Sequence, residues 1–336
     1  MMRSSEPFNH FVDDYLAYLH EVHPTSATLD GVHTHDDLLE DLSRQGIEQD
    51  TRALSGFARR LQDINAGDLT PVERAEQPMV AANIQARMFE LEQTRTWERN
   101  PQLYADILCS SIAGQVVFSH APIQERARRV LSKLRQAGRL VQAARDNIKD
   151  PPGIFVKVGL ETFRGALKFI HDDLPKAFSE LDDMHLLGDL ADASTEAAQA
   201  IGSYIQYLDE ELAPRARGSF RLGREMFEKK LRLDEGITLD ADRLLAIALR
   251  ELKATQEEFK SVAGRLDGGD PVAAWRRAKE DHPLPGELAQ AAQTQLDELM
   301  TFIDRNAIVT RPDAEPVIAA PTPDFYRWSF ASMWVS

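Results

Sequence analysis

The stretch IQERARRVLSKLRQAGRLVQAARDNI, residues 123–148, decides the fold class. Val130, Leu134 and Val141 recur at helical spacing among Arg and Gln residues, the pattern of a helix with one apolar stripe and one polar face. It opens after Ser119-His120-Ala121-Pro122 and is broken by Asp150-Pro151-Pro152-Gly153, where proline can neither donate to a helix nor fit inside one.

The same period continues on both sides. Toward the N-terminus, Phe11, Tyr15, Leu16 and Leu19 form a stripe that Pro24 ends just after His23. Leu54, Phe57, Leu61 and Ile64 mark a helix from about Ile47 to Ile64, stopped by Asn65 and Gly67. Thr70-Pro71 with Glu73 is a helix-opening signature, and the helix it predicts runs from Val72 to about Trp97, where Asn100-Pro101 closes it. Toward the C-terminus, helices are predicted near 154–178, 191–212, 241–266 and 285–306. The expected fold is therefore mainly α, an irregular multi-helix domain over residues 1–310. Residues 311–336 differ: Pro312, Pro316, Pro321 and Pro323 forbid a helix, while Val317-Ile318 and Phe325 to Val335 are rich in β-formers, so one or two short β-strands are expected there.

With 39 basic against 54 acidic side chains the net charge is −15, and no compact basic cluster offsets it, which excludes a nucleic-acid binder of the usual electrostatic kind. Cys109 stands alone, so neither a disulfide framework nor a thiolate zinc site is available. The most apolar run, Ile112 to Phe118, is far short of the roughly 18 residues of a membrane span, and no apolar signal core follows Met1 to Pro7. A cytoplasmic location without membrane association is the expectation.

The densest group of potential ligands is His20, Glu21, His23, His33, His35, Asp36 and Asp37. An HExxH zinc site places two His one helical turn apart with Glu as the general base. The string His20-Glu21-Val22-His23 is one residue short and runs into Pro24, so that motif is absent. His33, His35, Asp36 and Asp37 remain as cleft candidates, against the plainer reading of a helix end followed by a polar loop. There is no GxSxG nucleophile elbow, and Ser110 and Ser111 beside Cys109 read as helix packing, with Cys109 a small buried hydrophobe. The Gly264 to Gly269 segment lacks the Lys-Ser/Thr of a phosphate loop, the paired acids such as Asp172-Asp173 read as solvated faces, and His120, His171, His185 and His282 are scattered singly. No catalytic, cofactor-binding or metal-binding residue follows from these patterns.

Three stretches in order carry a family resemblance: His23-Pro24-Thr25-Ser26-Ala27-Thr28-Leu29-Asp30-Gly31-Val32-His33 with Asp36-Asp37, then Leu222-Gly223-Arg224-Glu225-Met226-Phe227 leading to Leu239–Phe259, and finally Pro321 to Val335. Together they resemble the N-terminal part of the bacterial domain of unknown function 885 family, whose members look like helical zinc metallopeptidases of the gluzincin kind. The resemblance implies that zinc is held by an HExxPGH-like motif downstream of the matching segment, so zinc is expected only in full-length relatives and no ligand transfers to a numbered position here. It implies the N-terminal helical portion of such a protein, truncated and not hydrolytic alone. The alternative is a helical module that binds a peptide or a complementary protein segment. The aromatic C-terminal run adds Tyr326, Arg327 and Trp328 as cleft candidates and an expectation of self-association through an edge strand.

Overall fold

Residues Ile123–Asn147 form one uninterrupted helix whose buried Ala127, Val130, Leu134, Ala137, Val141 and Ala144 lie three and four apart along one side. In the computed structural model, residues 6–267, 270–311 and 316–322 are described. They divide after Thr238 into two compact units, a boundary that lies inside the 1–310 span read as one domain from the sequence.

The first unit comprises α1 (Glu6–Val22), α2 (Pro24–Leu29), α3 (Arg44–Gln62), α4 (Pro71–Phe89), α5 (Thr96–Arg99), α6 (Pro101–Val117), α7 (Ile123–Asn147), α8 (Gly153–Lys168), α9 (Leu174–Ala177), α10 (Met184–Gln206) and α11 (Arg224–Glu235). Helix α7 packs along α10, and α6 packs against α2, α7 and α8. Because α6 is surrounded, Tyr104, Leu108, Cys109, Ile112 and Ala113 are all buried, and its sequence is apolar all round rather than striped. Gly159 lets α8 approach α6: a Cβ there would stand 2.9 Å from the Cβ of Pro101, closer than packed carbons come. A second core joins α1, α3 and α4 through Phe8, Phe11, Tyr15, Leu54, Leu61 and Ile84. Thr70 and Glu73 form the reciprocal cap expected at the start of α4.

Several predicted helices end sooner, for a local reason. The one expected over 72–97 gives way to a π turn at Glu90–Thr94 and then to Arg95 at φ 52°, a left-handed conformation. The turn is held by Trp97, whose indole donates to the carbonyl of Leu91 (2.9 Å), and by Glu90, which accepts from the Thr96 amide (3.2 Å). Similar π turns, Phe169–Asp173 and Tyr207–Leu212, follow α8 and α10. Helix α10 begins at Met184, ahead of the predicted Ala191, because Asp183 caps the Leu186 amide (3.0 Å).

The second unit contains α12 (Ala241–Asp267), α13 (Pro271–Glu280) and α14 (Leu288–Asn306). The strands expected near the C-terminus are corrected here: among the described residues there is no strand, and Val317-Ile318 is irregular chain. The flanking Pro316 and Pro321 lack ladder donors, and what lies alongside is a side chain: the Gln293 amide donates to the Val317 carbonyl (3.2 Å) and accepts from the Ala319 amide (2.8 Å). The segment 325–335, with Tyr326, Arg327 and Trp328, lies outside the described residues. No helix among the described residues is long and apolar enough to cross a membrane.

Candidate functional site

The polar face of α7 does not simply face water. It holds the irregular segment between α2 and α3 through side chains spaced along its length. Gln136 accepts from the Leu39 amide (3.1 Å) and donates to the Asp37 carbonyl (2.8 Å). Arg139 donates to the Leu39 carbonyl (3.1 Å), and Asn147 to that of Leu42 (2.7 Å). These contacts satisfy backbone groups that neither helix nor sheet would otherwise pair.

At the start of this segment the carboxylate of Asp36 is buried, 1% exposed, and bonded at both oxygens. Its Oδ1 accepts from the Thr28 hydroxyl (2.5 Å). Its Oδ2 accepts from His33 Nδ1 (3.0 Å), His120 Nε2 (3.2 Å) and Arg129 Nη1 (2.6 Å). A carboxylate only accepts, so the ring nitrogens that face it carry the protons. His120 Nε2 also faces Gln115 Oε1 (3.2 Å), which leaves its buried Nδ1 as the bare nitrogen, with no protein partner among the described residues. Burial alone would raise the Asp36 pKa. The side chains of Thr28 and Gln115 and the charges of Arg129 and His33 outweigh it, and the group is held below the usual carboxylate range. Burial, helped by the charge of His33, lowers the His120 pKa, consistent with a neutral ring.

A second buried polar pair lies close by in sequence. Glu40 accepts from the amide (3.1 Å) and the hydroxyl (2.9 Å) of Thr25, completing the N-terminus of α2, which His23 does not cap. Burial pushes Glu40 up, and burial lowers Lys133 to about 8 against the opposing pull of Glu40. The Lys133 ammonium is buried without a hydrogen-bond partner among the described residues.

Of the sequence candidates, the structure brings His33 and Asp36 together and adds His120 and Arg129, whereas the side chains of His35 and Asp37 take no part in this cluster. His120 was out of reach of sequence spacing: it is read as a lone histidine, and only the return of the chain between α6 and α7 brings it under His33. The plainer reading, a helix end followed by a polar loop, describes the chain after α2, and within that loop Asp36 is buried against Arg129 of α7.

His33, Asp36 and His120 offer ligand atoms within 4.8 Å of one another, so a metal must be considered. Their arrangement does not fit one. The two imidazoles are stacked, with centroids 4.0 Å apart and planes within 1° of parallel. A metal binds along a lone pair in the plane of each ring, and two stacked planes share no such point. The Arg129 guanidinium, moreover, already occupies the carboxylate oxygen that both rings face. Cys109 is buried and its thiol pKa is pushed upward by burial, the inert small hydrophobe expected.

Among the described residues the fold is mainly α-helical, and its buried polar cluster ties the α2–α3 segment to α7 by hydrogen bonds and an ion pair. The chain belongs to the family described as bacterial protein of unknown function, DUF885, whose model matches residues 24–334. No curated protein matches it. Among solved structures it is similar to a candidate lipoprotein of unknown function from Shewanella oneidensis, with a TM-score of 0.69 and 22% identity over 93% of this chain. At that identity the likeness concerns the fold. The chain spans 59% of the length of that relative.

Proposed function

We propose that this chain is the helical, non-hydrolytic portion of a metallopeptidase-like protein, serving as scaffold for a peptide-handling architecture rather than as its reacting centre. The observation that carries the reading is the state of Asp36. Its carboxylate is paired with Arg129 at 2.6 Å, is held at both oxygens by Thr28, His33 and His120, and is 1% exposed, so it is poorly placed to reach and activate a water. Without an activated water or nucleophile, a folded surface contributes positioning only. A second reading, a module that binds a peptide or complementary protein segment, is favoured by the exposed apolar residues of α14, Leu288, Leu299 and Phe302.

The purified chain is expected to show no peptide turnover above buffer, with or without added zinc. Chelator-sensitive turnover that co-elutes with the protein and disappears in His33→Ala or His120→Ala would overturn the non-hydrolytic reading.

A further inference from the structure

Among the described residues of the first unit, α11 is the one helix that has no buried residue. It lies on α4 and the π turn that follows, held there through two lysines. Lys229 donates to Gln93 Oε1 (3.2 Å) and sets its ammonium 5.0 Å from the centroid of the Phe89 ring, and Lys230 stands 3.9 Å from Glu90. Phe89 is 2% exposed although it belongs to neither apolar core. The two helices do not close fully on each other: Gln85 of α4 and Glu225, Glu228, Lys229, Arg232 and Leu233 of α11 line a cavity of about 400 Å³. Exposed ion pairs and cation–π contacts contribute about 1 kcal/mol each at most, far less than a buried apolar stripe.

Two glycines in conformations that other residues avoid bracket this helix. Gly223 before it has φ 82° and ψ 165°, and Gly236 after it has φ 66°. Just upstream the chain is pinned. The Arg217 amide donates to Asp150 (3.1 Å), the Gly218 amide to the Pro151 carbonyl (3.3 Å), and the Arg99 guanidinium to the Ser219 carbonyl. Rotation at Gly223 therefore moves α11 while the segment before it stays in place. We infer that α11 is a hinged flap that lifts from α4 as one unit between Gly223 and Gly236, gating access to Phe89 and to the cavity beside it. Elements that move in this way are drawn from the least stable parts of a fold, and α11 is held shut by polar contacts with no buried residue to fix it. The stretch Leu222 to Phe227, singled out in the sequence, is the hinge and first turn of the flap.

Amide hydrogen exchange of the intact chain, compared between α7 and α11, tests the flap. Amides of α11 beyond its first turn are expected to exchange on the order of 100-fold faster than those of α7, with one common protection along the helix, the mark of a unit that opens together. Lys229→Gln removes the charge that faces Phe89 while keeping a residue of nearly equal helix propensity. It is expected to speed exchange throughout α11 about fourfold and to leave α7 unchanged. Protection in α11 equal to that in α7 would overturn the inference, since the helix would then open only with the whole fold. Protection that falls away gradually from one end would do the same, because it reports fraying, and so would an α11 indifferent to Lys229→Gln.

Discussion

Asp36→Ala is expected to destabilise the first unit by about 3 kcal/mol, toward the lower end of the range for breaking a buried ion pair, and to lower its Tm by roughly 10 °C. The loss comes from what is left behind. Arg129 keeps its charge with only Glu125 (2.5 Å) to pair with, and its side chain is 16% exposed, so water replaces the carboxylate poorly. The Thr28 hydroxyl can turn its one proton to the Pro24 carbonyl (3.0 Å), which limits its share of the penalty. His33→Ala should cost much less, because that ring is 33% exposed and can hydrate. Thermal unfolding followed by circular dichroism reads both variants. If Asp36→Ala melted within a degree or two of the parent, the cluster would not be holding the α2–α3 segment to α7.

Acidification provides the second large effect. Burial, with the charge of Arg87 adding to it, lowers the pKa of His23 to about 4. In the unfolded chain the same group titrates near 6.5. Between these values the unfolded chain binds a proton that the folded chain refuses, so protons favour unfolding. Stability contributed by His23 is therefore fully present above about pH 6.5, falls as the pH drops, and levels off below about pH 4, with a total loss of about 3 kcal/mol. His120, also lowered, acts with the same sign. Asp36 acts in a lower window, since a depressed carboxylate keeps its contribution until the pH falls below its unfolded value near 4. Denaturant titrations at pH 7 and pH 4.5 should show His23→Gln losing about 2 kcal/mol less than the parent over that interval. Equal losses in the two proteins would remove His23 from the acid response.

These effects also show which parts of the architecture can be read from residues alone. Helices α3, α7 and α12 are legible because each carries an apolar stripe at one period, and the Thr70–Glu73 cap marks the start of α4 directly. Helix α6 is harder, since a helix buried all round has no stripe to find. The π turns after α4, α8 and α10 leave no periodic signature; the break at Arg95 depends on Trp97 folding back onto Leu91. The Val317-Ile318 segment has the composition of a strand but no second backbone beside it, and Gln293 takes that place.

The site divides in the same way. His33 and Asp36 are near neighbours in sequence and fall in one group with His35 and Asp37, from which spacing does not separate them, and Arg129 and His120 reach them only through the packing of α7 and the turn before it. The Arg and Gln residues that mark α7 as amphipathic carry no sign that Gln136 and Arg139 pair the backbone of a distant segment. A polar helix face is ordinarily a solvated one, and only the path of the intervening chain distinguishes the two cases.

We propose that the His33–Asp36–His120–Arg129 cluster is a structural lock and not a metal centre. Metal analysis of the dialysed protein after exposure to zinc tests it most directly. No stoichiometric zinc is expected, because binding would require the stacked rings to part and Arg129 to leave Asp36. One tightly held equivalent, lost on His33→Ala or His120→Ala, would contradict it.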